Sequence, residues 1–225
     1  KATKYKEDIK SKKTKISVLT KNQGSASPSQ RTHIQVLANS ITASMLILLS
    51  TLPFDEEVQL LLKAGVIGQY VAVQADTWSS ELGILSTSDP YLITTFETVP
   101  PGTNGGISNA GLLAGLTGSS LISAIASYTY EERKIEHFLY FTVMGLVGTL
   151  IDSVLGAFLQ ASVVDQDGLV LETAGGAKID KNILIKEKER LKKVSGEDVL
   201  SNNQVNVAMA LLTSLLSLGL HQVFF

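Results

Sequence analysis

Five long apolar runs alternate with polar stretches along this chain. Each run has about twenty residues or more, which is enough for an α-helix to cross the ~30 Å hydrocarbon core of a bilayer. Because helices satisfy their own backbone hydrogen bonds, the pattern predicts an all-α, polytopic transmembrane helical bundle with about five spans. The runs cover residues 32–52, 60–82, 108–127, 137–163 and 204–224.

The composition agrees with a single membrane domain over residues 1–225. Hydrophobic residues make up 44% and charged residues 18% of the chain, and the mean hydropathy is +0.21. The chain begins at Lys1, and residues 1–31 resemble an internal loop, so we expect further N-terminal spans upstream. The chain contains no cysteine, which excludes disulfides and Cys-ligated metals. A net charge of −2 argues against nucleic acid as a partner.

Positive charge is concentrated in two of the polar segments. Of the 19 Lys and Arg residues, nine lie in 1–31 and seven in 164–203. With five spans, these two segments and the glycine- and proline-rich loop 83–107 fall on the same side of the membrane. The positive-inside rule makes that side cytoplasmic, or stromal or matrix in an organelle. We expect an endomembrane of the ER type or an organelle membrane.

Two acidic residues lie inside the apolar runs. Asp76 is the one charged residue between Lys63 and Glu81, and Asp152 is the one between His137 and Asp165. An ionised Asp at mid-bilayer costs at least ~2.5–3.5 kcal/mol, so such residues usually face a cavity, an ion or a substrate. The alternative for Asp152 is a seam of small residues with the carboxyl hydrogen-bonded to a neighbouring helix.

Residues 99–108 lead into the third apolar run and are rich in glycine and proline. Glycines let the backbone approach a ligand closely, and N–H groups before a helix N-terminus favour anions. An ordinary tight turn between helices is the alternative. The candidate phosphate-binding residues of this segment are Gly102, Thr103, Asn104, Gly105 and Gly106.

Three asparagines open the last apolar run. Ser201 or Asn202 is a favoured helix N-cap, but Asn206 lies one turn inside the helix, where capping no longer explains it. Amide oxygens there are suited to a Mg²⁺ shell or to a nucleotide. The candidates for nucleotide contact are therefore Asn202, Asn203 and Asn206. Lys4 in the basic arm is a further candidate phosphate contact, and a topology signal near anionic lipid headgroups is the alternative for that arm.

Four motifs occur in order along the chain: Asp76-Thr77-Trp78-Ser79-Ser80-Glu81-Leu82-Gly83, Pro100-Pro101-Gly102-Thr103-Asn104-Gly105-Gly106, Asp152-Ser153-x-x-Gly156-Ala157-x-x-Gln160, and Asn202-Asn203-x-x-Asn206. This set closely resembles the transmembrane protein nineteen family of eukaryotic integral membrane proteins. Its relatives include the plant phytyl-phosphate kinase of vitamin E synthesis.

The resemblance implies an integral-membrane phosphotransferase that acts on an isoprenyl or related lipid phosphate. It further implies Mg²⁺ as cofactor and CTP or another nucleoside triphosphate as phosphoryl donor. Asp76 and Asp152 would be the catalytic, metal-holding acids, with Glu81 as a further metal ligand. The plant kinase's motifs look like Asp-Thr-x-Ala-Ser-Glu and Gly-Thr-Glu-Gly, whereas Trp78, Ser79 and Asn104-Gly105 stand here. That difference bears on the identity of the substrate.

Two other classes of function stay open. Intramembrane acids also bind coupling ions in transporters and channels. A non-catalytic membrane protein with the same fold is the third possibility. The sequence does not define an oligomeric state.

Overall fold

The computed structural model describes residues 14–16, 32–173, 177–179, 185 and 190–225. Six helices are described, and four of them are long and apolar enough to cross a membrane. This confirms the predicted polytopic helical bundle. The helices are α1 (His33–Ala38), α2 (Ile41–Ser50), α3 (Glu56–Gly83), α4 (Asn109–Ser127), α5 (Lys134–Leu159) and α6 (Asn202–Phe224).

The first predicted span, 32–52, is wrong as a continuous helix. It is broken at Asn39 and Ser40 into α1 and α2, and ten-residue α2 is only about 15 Å long at 1.5 Å per residue. Gln69 in α3 stabilises this break. Its side chain donates to the carbonyl of Asn39 (2.7 Å) and accepts from the backbone N–H of Ala43. Gln69 thereby satisfies backbone groups that the break would otherwise leave unpaired inside the membrane.

Helix α3 is the central helix of the bundle and packs on α2, α4, α5 and α6. The Asp55 side chain caps it by accepting from Val58 N at 2.9 Å. Small residues let its neighbours approach closely. A Cβ added at Gly148 in α5 would overlap the Cβ of Ala72 in α3. Close backbone contact of this kind is the usual means of helix association in lipid.

Short strands connect the helices at one end of the bundle, which we call the loop end. A four-stranded sheet has the order β1 (Thr14–Ile16), β5 (Val170–Glu172), β4 (Ser162–Val164), β6 (Lys192–Ser195). Strand β1 pairs with β5 in parallel, and the other two pairings are antiparallel. A hairpin of β2 (Tyr91–Leu92) and β3 (Gly106–Ile107) packs beside it on Ala157 of α5. The all-α prediction did not include these strands.

An aromatic cluster occupies the opposite end of the bundle, which we call the far end. His137 and His221 face each other there, with their Nε2 atoms 3.3 Å apart. Tyr130 and Phe225 stack on the His137 ring at centroid distances of 3.8 and 4.0 Å. Burial raises the pKa of Tyr130, so its phenol stays neutral. The cluster anchors the ends of α5 and α6 to each other.

Candidate functional site

One face of α5 carries the centre of the candidate site. Thr149, Asp152, Gly156 and Gln160 follow each other at spacings of three and four residues, so they lie along one side of the helix or just beyond its end. On the neighbouring helix α3, the Oδ1 of Asp76 accepts a hydrogen bond from the Thr149 hydroxyl at 3.4 Å. The two predicted acids therefore belong to one site.

The two carboxylates lie at the same level of the packed helices α3 and α5. The contact of Gly148 with Ala72 explains this, because each acid lies four residues further along its own helix. Both acids are half-buried. The Oδ1 of Asp152 is enclosed by protein, and no described residue forms a hydrogen bond with it.

The carboxylate pair has no cationic partner in the part of the chain that the structure describes. Two ion pairs between described residues, Arg133–Glu136 and Lys193–Glu197, lie elsewhere. Two acids of like charge inside a membrane need a compensating positive charge or a bound proton. An enclosed carboxylate oxygen without a partner is a ligand type that Mg²⁺ prefers, and Mg²⁺ commonly uses one or two carboxylates together with water.

The glycine loop lies against α5 one turn beyond Asp152. Gly105 has a φ of +79°, and a Cβ on it would lie 2.7 Å from the Ser153 carbonyl oxygen and 2.5 Å from the Ala157 Cβ. Asn104 fixes the loop, since its N–H donates to Ser162 Oγ at 2.8 Å and its side-chain amide to the Ala161 carbonyl at 3.3 Å. The structure therefore packs the glycine loop onto α5, the helix that carries Asp152.

Most of the loop's N–H groups already have acceptors within the protein. Thr103 N donates to the Pro100 carbonyl (3.2 Å), Gly106 N donates to the Thr103 carbonyl (2.9 Å), and Asn104 N donates to Ser162. Of the five candidate phosphate-binding residues, Gly102 and Gly105 retain an N–H that no described acceptor takes up. Phosphate binding by the loop stays a prediction, and it needs those two groups or a displacement of the loop.

The asparagines point to two different places. Asn202 Oδ1 accepts from the side chain of Gln160 at 3.4 Å, which connects Asn202 to the face of α5 that carries Asp152. Asn206 Nδ2 donates to Asn39 Oδ1 at 3.0 Å, which joins it to the break between α1 and α2. Ser201, and not Asn202, caps α6. Asn203 is half-buried in the first turn of that helix.

Glu81 is not grouped with the carboxylate pair. Glu81 lies five residues beyond Asp76 in α3, and no three His, Asp or Glu side chains of the described residues form a group able to hold a metal ion. Lys4 lies outside the described residues.

The sequence prediction missed Thr149, Gln69 and Ser162. Thr149 lies three residues before Asp152, and Gln69 lies seven before Asp76, so helical spacing places both on the faces of the two acids. That spacing is a signal visible in the sequence. Ser162 follows the helix and gives no such signal.

The fold and the site define a polytopic integral membrane protein with a carboxylate pair inside its helical bundle. Residues 1–214 match the family described as integral membrane protein DUF92. The chain belongs to this family, and the relationship expected from its four motifs is confirmed.

Relatives occur in plants, archaea and cyanobacteria. Protein PGR of Arabidopsis thaliana is 37% identical over 96% of this chain and 75% of its own length. Uncharacterized membrane protein MJ0933 of Methanocaldococcus jannaschii is 39% identical over 56% of this chain and 50% of its own. Protein VTE6, chloroplastic, of Arabidopsis thaliana is 31% identical over 44% of this chain and 30% of its own. No solved structure matches the chain.

Proposed function

We propose that this protein is an integral-membrane, Mg²⁺-dependent phosphotransferase. It transfers a phosphoryl group from a nucleoside triphosphate such as CTP to an isoprenyl or related lipid phosphate. The observation that carries the proposal is the pair Asp76 and Asp152, which lies within the bundle without a cation from any described residue. Similarity to a family that includes the plant phytyl-phosphate kinase supports the choice of substrate class.

In the proposed reaction an oxygen of the lipid phosphate attacks the γ-phosphorus of the nucleotide. The bond between that phosphorus and the β–γ bridging oxygen breaks, and its electron pair leaves with the nucleoside diphosphate. A phosphate monoester is already anionic, so no protein base is needed for the attack. Catalysis of this kind depends on neutralising charge and aligning two polyanions.

Asp76 and Asp152 would hold Mg²⁺, which supplies the neutralising charge when it is bound. Thr149 keeps the Asp76 carboxylate in place through its hydroxyl. The Oδ1 of Asp152 offers a ligand atom that no described protein group occupies. Asn202, whose side chain accepts from Gln160, would contact the nucleotide at the loop end.

The test is incubation of the purified protein with Mg²⁺, radiolabelled CTP or ATP and a panel of isoprenyl phosphates. Label should pass to a lipid, and Asp76→Asn and Asp152→Asn should each abolish the transfer while the protein still inserts into membranes. Asp89→Asn is the matched control, because this acid is exposed in the loop 83–107. The proposal fails if no label is transferred and no Mg²⁺-dependent nucleotide binding occurs. Full activity of both variants would disprove the metal-holding roles.

A transporter is the second candidate function, and the break between α1 and α2 is the observation in its favour. Discontinuous helices line the ion and substrate sites of many transporters. Proteoliposome flux that depends on Asp76 and Asp152, without phosphoryl transfer, would favour this reading. The carboxylates and the glycine loop lie toward one end of the bundle, which fits a site at a membrane surface better than a route across it.

A further inference from the structure

A cavity at the far end of the bundle lies between α2 and α4. Helix α2 packs on α3 and α6, while α4 packs on α3 and α5, so the cavity occupies the space left in the ring of helices around α3. Its volume is about 690 Å³, within the range of small-molecule sites. It lies away from the carboxylate pair, and its interpretation does not depend on the proposed phosphotransferase activity.

The wall of the cavity changes from polar to apolar with depth. Ser50, Gln59 and Thr129 contribute polar groups near the helix ends. Val66 and Ile67 lie ten and eleven residues inside α3, about 15 Å from its first residue, and contribute apolar walls. Such a gradient matches an amphiphile whose head lies at the far-end membrane surface.

Lys63 supplies the positive charge of the cavity and is the one cation among the described residues that line it. Its ammonium donates to the Thr129 carbonyl and lies 4.0 Å from the centroid of the Tyr130 ring. These contacts direct the ammonium toward the end of α4, and two of its three donors remain for another acceptor. Glu56 also lines the cavity, at the first residue of α3.

We propose that the cavity binds a hydrocarbon chain of an anionic phospholipid from the far-end leaflet, with the lipid phosphate on Lys63. The mouth faces the bilayer, because the lining residues Ile47 and Leu60 are 48% and 45% exposed. Lipid is therefore the medium that reaches the cavity. The lysine favours an anionic over a zwitterionic head, since one Lys near a membrane surface contributes about 1 kcal/mol toward anionic lipid, or about fivefold in affinity.

The test compares retention of two phospholipids with identical chains by the purified full chain, using native mass spectrometry. Phosphatidylglycerol carries a net charge and phosphatidylcholine does not. Wild-type protein should retain one phosphatidylglycerol with about fivefold preference. Equal retention of the two lipids, or none of either, would overturn the proposal without any variant being needed.

Variants then locate the site. Lys63→Gln should abolish the preference, whereas Lys134→Gln, which removes an exposed cation at the same end, should leave it unchanged. Val66→Trp should fill the cavity and reduce retention of both lipids severalfold. An unchanged preference in Lys63→Gln, or unchanged retention in Val66→Trp, contradicts the site. A dimer that buries the cavity and excludes lipid would overturn the proposal as well.

Discussion

Replacing Gly105 by alanine tests whether the glycine loop is built onto α5 beside Asp152. The backbone of Gly105 has a φ of +79°, a conformation that alanine adopts only with strain. The added Cβ would also lie 2.5 Å from the Cβ of Ala157 and 2.7 Å from the carbonyl oxygen of Ser153. Both neighbours belong to a packed helix, so neither can move aside easily.

The expected loss of stability has two parts. The left-handed conformation costs alanine about 1–2 kcal/mol. Forcing a methyl group into a packed contact costs about 1–3 kcal/mol more. Gly105→Ala should therefore lower the free energy of unfolding by about 2–5 kcal/mol.

Gly168→Ala is the matched control, because Gly168 has a φ of +77° but nothing within 4 Å of an added Cβ. Gly168→Ala should therefore show only the loss of stability that comes from the left-handed backbone conformation. The effect of replacing glycine on the unfolded chain is the same in both variants and cancels in the comparison. Equilibrium unfolding in mixed detergent micelles can be followed by the fluorescence of Trp78, the single tryptophan of the chain. Equal losses for the two variants would show that the loop does not pack on α5.

Three further predictions concern side chains inside the bundle. Gln69→Leu should lower the free energy of unfolding by about 1–3 kcal/mol, because it leaves the backbone groups at the α1–α2 break unpaired. Gln59→Leu is the control, since the carbonyl groups to which the Gln59 side chain donates lie near the surface. It should cost less in the same unfolding measurement. Asp152→Asn should not reduce that free energy, since an ionised acid in the membrane is itself costly; a loss as large as that of Gly105→Ala would contradict this reasoning. Thr149→Val should slow phosphoryl transfer about two- to tenfold and raise the Mg²⁺ concentration needed, because the hydrogen bond to the neighbouring carboxylate is lost. An unchanged Mg²⁺ dependence would show that this hydroxyl does not position the acid.

Much of the bundle could be predicted from hydropathy, because the long helices are locally encoded. Twenty-residue apolar runs form helices in lipid whatever their neighbours are. The predicted ends of the helices were less accurate than the helices themselves. The fourth predicted span extended to residue 163, but α5 ends at Leu159, and β4 begins at Ser162 because that segment pairs with β6.

The break in the first span could not be predicted from hydropathy, because its cause is not local. The segment 41–50 is strongly apolar, and the residue that stabilises the break, Gln69, lies 30 positions after Asn39. The same holds for the site. Hydropathy identified Asp76 and Asp152 individually, but the contact of Gly148 with Ala72 that makes them neighbours depends on how α3 and α5 pack.

Beyond its acidic first turn, the central helix carries Lys63 toward the far end and Asp76 toward the loop end. Lys63 and Asp76 are thirteen residues apart in α3, which corresponds to about 20 Å along the helix. A lipid phosphate is attracted to Lys63, but at the carboxylates it is repelled unless a cation lies between them. In the proposed reaction, a phosphate monoester would therefore reach Asp76 and Asp152 together with a metal ion, from the loop end toward which both acids lie. The two proposed lipid contacts are thus served by different leaflets, and occupation of the far-end cavity does not compete directly with the reaction.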